Sequence, residues 1–340
     1  MSRVLVHGAD NLGAGEFKAT VNRGWSLAGV SSQSGGGSTV LTLPIEAAVE
    51  KWLQLGSLVY IDHAVLGPWV GIIDTPWKAN APIQVSAYDP AYLLALRVLD
   101  DPVTLSGDVA EIVGELINLV NAQEELYLRL GSTEGSSTVP WTKTFDQTPM
   151  WNQLNALGME TGTEVRIRPE REEGQLVIYV DLSPQFGLDT SFLLYDGDEG
   201  NMRITEAKLE GKIRNRVIGI SNQGTAQDRL QSGPETDDES IALYRLRSWV
   251  EQFSGVDELG ILEENARLFL AGNARPRLKL TAEIYEAAFP YLALGNLLSV
   301  QASKLYLPGG RQGWSGDMRL MAMFYEEARN IVTVNVEAFL

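Results

Sequence analysis

The chain has 340 residues, 44% of them apolar, enough for about two to four domains with buried cores and too many for overall disorder. Its 27 basic and 44 acidic side chains leave a net charge of −17, a surface that repels nucleic acid and anionic membranes at long range. There is no cysteine, hence no disulfide framework and no thiolate metal site.

No apolar run approaches the roughly 20 residues a membrane-spanning helix needs. The opening Met1 to Val6 is too short and too soon polar for a signal peptide, so synthesis in a cytosol without secretory export is expected. The acidic balance serves solubility on one reading. On a sharper one it lines a conduit through which a polyanion slides without sticking.

Residues 1–87 read as short strands punctuated by turns, a small β-barrel. Gly13-Ala14-Gly15 and Ser31 to Ser38 are expected as loops, the second as a linker or an exposed hairpin. A short helix is expected over Ile45 to Trp52, then a hairpin of Leu58 to Ile61 with Trp69 to Ile73.

Residues 88–200 change character to mixed α+β. Val109, Ile112, Val113, Leu116, Ile117 and Val120 share one helical face, so a helix is expected from Asp108 to Ala122, capped by Ser106. Thr148-Pro149 starts a second helix that Gly158 ends. Glu164 to Arg168 and Leu176 to Leu182 alternate around Glu172-Glu173-Gly174 as a hairpin.

Strands return at Met202 to Leu209 and Arg214 to Ile220, so residues 201–222 and 276–340 are expected to build a second barrel. Between them, 223–275 reads as a small inserted domain. It opens on the polar Gln223 to Ser240 and carries a helix from Glu258 to Leu270, capped by Asp257 and followed by Gly272. Leu278 to Ile284, Leu297 to Tyr306, Arg319 to Glu326 and Ile331 to Val336 complete the sheet. No lysozyme, peptidase or fibre domain is expected beyond Leu340.

One phrase occurs twice. Leu55-Gly56-Ser57-Leu58-Val59-Tyr60-Ile61 is followed by Trp69-Val70-Gly71, and Leu294-Gly295-Asn296-Leu297-Leu298-Ser299-Val300 by Trp314-Ser315-Gly316. Each copy has a short alternating strand before it, Val40 to Leu43 and Leu278 to Leu280. Two copies of one β unit in one chain suggest a duplicated barrel, and that points to an assembly protein more readily than to an enzyme.

Chemistry is sparse. His7 and His63 sit in strand-like contexts without triad spacing, and two histidines with no cysteine make a zinc site improbable. Gly24-Trp25-Ser26-Leu27-Ala28 lacks the final glycine of a nucleophile elbow, and the glycines around Gly35 have no P-loop lysine. Asp196-Gly197-Asp198-Glu199-Gly200-Asn201 is the nearest approach to a calcium loop, and an ordinary Asp/Gly turn is the simpler reading. Asp237, Asp238 and Glu239 read as a solvated loop, and Arg166, Arg168 and Arg171 are too interleaved with acids for a nucleic-acid patch. The eight tryptophans are spread evenly, as core or interface anchors are. No catalytic, metal or cofactor residue is assigned.

Pro68-Trp69-Val70-Gly71-Ile72-Ile73-Asp74, then Val85-Ser86-Ala87-Tyr88-Asp89-Pro90-Ala91-Tyr92-Leu93-Leu94, then the later Leu294 to Val300 together resemble the baseplate hub proteins of phage tails and related injection machines. In non-contractile phages the counterpart is the N-terminal hub part of the tail-associated tip protein. The resemblance implies a mainly β fold: two duplicated tube-like β-barrels and two smaller mixed domains. It implies a non-enzymatic homotrimeric ring at the tail tip of a virion, made in the host cytoplasm. The ring would adapt a six-fold tail tube to a three-fold tip. Implied partners are the tail tube protein ring, a spike or fibre protein, the tape-measure protein, and DNA that passes the bore unbound. The loop Ser31 to Ser38 then becomes a candidate intersubunit hairpin. Two other readings stay open. A wall or glycan hydrolase would need acids such as Glu160, Asp181 or Glu264 to converge, and a carbohydrate-binding β module would attach to a host.

Overall fold

The structure, a computed structural model, describes residues 2–7, 14–26, 38–43, 53–62, 66–78, 83–136, 138, 140–221, 229–253, 256, 258–307 and 311–339. The helix expected over Ile45 to Trp52, residue His63, and all of the loop Ser31 to Ser38 except Ser38 lie outside these residues.

The first unit contains β1 (Ser2–His7), β2 (Ala14–Ser26), β3 (Ser38–Leu43), β4 (Leu58–Ile61), β5 (Trp69–Lys78) and β6 (Ile83–Tyr88). Their order is β1-β4-β5-β6-β3-β2, and β2 pairs back onto β1, so six antiparallel strands close into a barrel. Alternation drives the closure: Val4, Val6, Leu41, Leu43, Val59, Ile61, Ile73, Ile83 and Val85 fill one interior. Ala14 and Gly15, expected in a loop, open β2 opposite His7 and Val6; ladder bonds along β1 outweigh their weak strand preference.

The middle unit contains α1 (Pro90–Ala95), β7 (Val103–Gly107), α2 (Val109–Gln123), β8 (Leu128–Leu130), β9 (Trp141–Phe145), α3 (Met150–Thr161), β10 (Glu164–Glu172) and β11 (Gln175–Ser183). The predicted apolar face of α2 is buried, all six residues. Its cap is Asp108, not Ser106: Asp108 and Glu111 form a reciprocal capping box, while Ser106 lies in β7 with its Oγ 2.9 Å from Thr142 Oγ1. Gly158 does not end α3. The helix runs one turn further to Gly162, which takes φ +65°. The hairpin of β10 and β11 forms as predicted, with Glu172 opposite Gln175.

The remaining elements are β12 (Asp189–Tyr195), β13 (Met202–Glu210), β14 (Arg216–Ser221), β15 (Glu235–Thr236), α4 (Asp238–Tyr244), β16 (Ser248–Phe253), α5 (Leu259–Asn273), β17 (Arg277–Ile284), β18 (Leu297–Leu307), β19 (Arg311–Glu326) and β20 (Ile331–Phe339). A 3-10 helix, Glu286–Tyr291, links β17 to β18. The second barrel takes the order β12-β18-β19-β20-β17-β13. Strand by strand in chain order this is the order of the first barrel, so the duplication read from the phrase is a duplication of topology.

The copies differ at one seam. β12 runs parallel to β18 where β1 runs antiparallel to β4, and among the described residues no ladder joins β12 to β13. Pairing also differs from the sequence division in two places. β12 lies before residue 201 yet belongs to the large sheet. β14, within the expected barrel segment 201–222, instead pairs with β15 and β16 in a small sheet covered by α5. Helix α5 runs through Gly272 to Asn273; its expected cap Asp257 is outside the described residues.

Candidate assembly interface

The repeated phrase has a geometric cause. Gly56 and Gly295 take φ +85° and +87°, a region that L-residues rarely occupy. Each then makes the same two bonds. Gly56 N donates to Ile73 O at 2.8 Å and Ile73 N to Ser57 O at 2.9 Å. Gly295 N donates to Leu320 O at 2.8 Å and Leu320 N to Asn296 O at 2.9 Å. The Trp-x-Gly half follows from strand period: residues two apart share a face, so Trp69 lies over Gly71 and Trp314 over Gly316. A Cβ at either glycine would overlap the indole.

Two long strands join the barrels. β2 pairs with β1 over its first half. Its end then pairs with β19, from Asn22 opposite Glu326 to Ser26 opposite Ala322. β19 likewise spends its first half on β18 and its second on β20 and β2. One sheet of twelve strands therefore crosses from one barrel to the other by edge-to-edge backbone pairing.

The β10–β11 hairpin braces this joint. Nine residues per strand span about 30 Å. At the base, Glu164 is 2% exposed and takes the guanidinium of Arg319 from β19, with Arg319 Nη2 at 2.5 Å, and the N–H of Phe186 at 2.9 Å. Arg319 also donates to Phe186 O at 2.9 Å and Gly295 O at 3.2 Å. Gly187, at φ +94°, presses its backbone onto Gly295, where neither residue has room for a Cβ. Asn296 accepts the Leu188 N–H at 2.9 Å, a task its counterpart Ser57 lacks. At the tip, Leu176 packs on Leu58, Val70 and Ile72 of the first barrel's outer face, and Arg171 lies 5.9 Å from the Tyr60 ring centre.

His7 is fully buried, and among the described residues neither ring nitrogen has a hydrogen-bond partner. Burial first, then the nearby Arg171 charge, push its pKa down, so it is held neutral.

The three acids Glu160, Asp181 and Glu264 do not converge; each is paired with basic side chains near it. Glu160 takes Lys143 at 2.6 Å, Asp181 takes Arg166 and Arg168 at 3.0 Å each, and Glu264 takes Arg267 at 2.5 Å. Asp181 is buried, which favours protonation, but bonds from Arg168, Ser132 N–H and Arg166 outweigh that and lower its pKa. The Asp196 to Asn201 segment is a turn. Asp196 faces inward and accepts from Ser303 N at 2.8 Å, Ser303 Oγ at 2.7 Å and Lys304 N at 3.2 Å. Among the described residues no cluster of three or more His, Asp or Glu suits a metal. No described helix is long and apolar enough to cross a membrane.

No family model and no curated protein matches the chain. Solved structures do. The chain is similar to prophage tail protein gp18 from Listeria monocytogenes EGD-e, with TM-score 0.63 and 12% identity over 99% of this chain and 94% of that one. It is also similar to the 43 kDa tail protein of prophage MuSo2 from Shewanella oneidensis, with TM-score 0.57 and 12% identity over 98% of each chain. The fold is that of these tail proteins, mainly β with α+β insertions, along the whole length.

Proposed function

We propose that this chain is a structural hub of a phage tail tip or related particle. Three copies form a ring of six barrels that adapts a six-fold tail tube to a three-fold tip. The observation that carries the proposal is the β2–β19 joint between two barrels of one topology.

The duplication extends the joint outward. β13 corresponds to β2 and β5 to β19. Among the described residues, β13 has a ladder partner only on its β17 flank, and Trp77 and Lys78 of β5 only on the β6 flank. Thr205 to Glu210 along β13 are exposed. Pairing the β13 edge with the β5 edge of the next copy repeats the internal joint between subunits. A heterologous contact of this kind either closes into a ring or grows without end; three two-barrel subunits close at six.

The hairpin brace holds the two barrels of each subunit at a set angle, as closure requires. The proposed neighbours are the tail tube ring on one side, a spike or fibre protein on the other, and the tape-measure protein and genome in the bore. The net charge of −17 lets DNA pass such a bore without binding.

Class averages and native mass of the purified chain test the reading. Three-fold rings with six lobes around a hole are expected. A chain that stays monomeric at tens of micromolar, alone and with its tube protein, sinks it.

A further inference from the structure

The small sheet β15-β14-β16 ends on β16. Among the described residues β16 pairs only with β14, so its other flank keeps unspent N–H and C=O groups. The residues leading into it and along it are apolar and open: Leu243 is 63% exposed, Leu246 57%, Val250 54% and Trp249 41%. Helix α5 covers the other face, with Leu262 and Ala266 against Gly219 of β14. Residues side by side in a parallel pair share a face. Val250 beside Ile218, and Ser248 beside Arg216, therefore stand on the uncovered side.

One buried residue holds this display in place. Asn215, fully buried, donates Nδ2 to Arg245 O at 2.8 Å and accepts Arg247 N at 2.7 Å, while its own N–H reaches Arg247 O at 3.1 Å. It fixes Arg245 at φ +64° and leaves Arg245, Leu246 and Arg247 standing out from the turn. Arg216, Arg245 and Arg247 have no carboxylate partner among the described residues, although acids outnumber bases 44 to 27 in the chain.

A free strand edge, an apolar row and three guanidiniums that meet no carboxylate among the described residues, Arg216 reaching only Ser248 Oγ at 3.4 Å and Arg247 Tyr244 O at 3.3 Å, have one joint complement. We infer that β16 receives an extended acidic segment of another protein as the fourth strand of this sheet. Backbone pairing supplies the hold, Leu246 and Val250 take its apolar side chains, and the three arginines take its carboxylates. A nucleic acid fits less well. Arg214 already covers one face of Trp249 at 3.7 Å, the indole N–H is spent on Glu251 at 2.6 Å, and the net charge opposes a polyanion. The inference stands apart from the ring, since β16 belongs to neither barrel.

The test uses the full chain and a fluorescein-labelled peptide of alternating Glu and Val, about eight residues long. A Lys–Val counterpart and an oligothymidylate serve as comparisons. Expected are saturable anisotropy with the acidic peptide alone and slowed amide exchange across Ser248 to Phe253. Binding should weaken about tenfold or more in Arg245→Glu/Arg247→Glu, which replaces exposed side chains and should keep its circular dichroism and melting point. Absence of saturable acidic-peptide binding, or binding that leaves β16 exchange unchanged, overturns the inference. So does competition by oligothymidylate, which would make the patch a nucleic-acid site. Self-association that the double variant abolishes overturns it too, since the occupant would then be a second copy.

Discussion

Glu164 couples two domains through one buried carboxylate. Its partner Arg319 lies 155 positions away, so nothing in local spacing pointed to it. Glu160, Asp181 and Glu264, the acids a hydrolase reading needs to converge, are each held apart by basic neighbours, one cation for Glu160 and Glu264 and two for Asp181. Arg319→Ala leaves the Glu164 charge buried without its counterion. The expected cost is about 3–5 kcal/mol in urea unfolding, with part recovered in Glu164→Gln/Arg319→Met. A loss under about 1 kcal/mol would mean that the pair does not hold the domains.

His7 sets the pH response at this scale. Its folded pKa lies below the unfolded value of about 6.5, so the unfolded chain binds the extra proton. Stability from this group is complete above about pH 6.5 and declines as pH falls toward the folded pKa. The melting point should therefore drop between pH 7 and 5.5, and His7→Gln should drop less. Equal drops in both proteins would contradict the assignment. Asp181 acts lower on the scale. Its depressed pKa gives stability that is present above about pH 4 and lost as pH falls through the folded value, so Asp181→Asn should flatten only that acid limb.

Turns and caps separate what the sequence made legible from what it did not. The Gly56 and Gly295 turns were visible because only glycine tolerates their φ, and the Trp-x-Gly pairs because an indole needs a bare neighbour on its face. The second turn carries an extra load that no motif announced. Space is open around Gly56, so Gly56→Ala should cost about 1 kcal/mol of φ strain. Gly295→Ala also drives a methyl into Phe186 and Gly187 backbone and should cost at least about 2–3 kcal/mol. Equal costs would show that the Gly187–Gly295 contact gives way.

The α2 cap makes a similar contrast. Asp108→Ala should lose about 1 kcal/mol and Ser106→Ala well under that, because the capping box belongs to Asp108. Ser106 looked like the cap because serine and aspartate are equally good there; only the β7–β9 pairing decides between them. The sheet that β14 joins is hidden for a related reason. The alternating pattern of β14 says that it is a strand but not which neighbour it pairs with.

For the whole molecule, duplication was readable and the joint was not. The repeat follows from side-chain rules, whereas the β2–β19 pairing is made by backbone groups that every residue carries. The joint is carried by two strands of 13 and 16 residues, both longer than their side-chain patterns indicate: loop-forming Ala14 and Gly15 belong to β2, and β19 begins at Arg311, eight residues before the expected Arg319. The same backbone logic underlies the proposed ring, in which the β13 edge of one copy meets the β5 edge of the next.

The chain has no cysteine, which makes that contact directly measurable. Lys78 and Lys208, both exposed, are replaced by cysteine together and singly, and a short flexible bis-maleimide is added to the assembled protein. A covalent ladder that reaches three chains and stops there, in the double variant only, is the predicted result. A product that never exceeds one chain, a ladder that runs past three, or identical cross-linking in either single variant would contradict it.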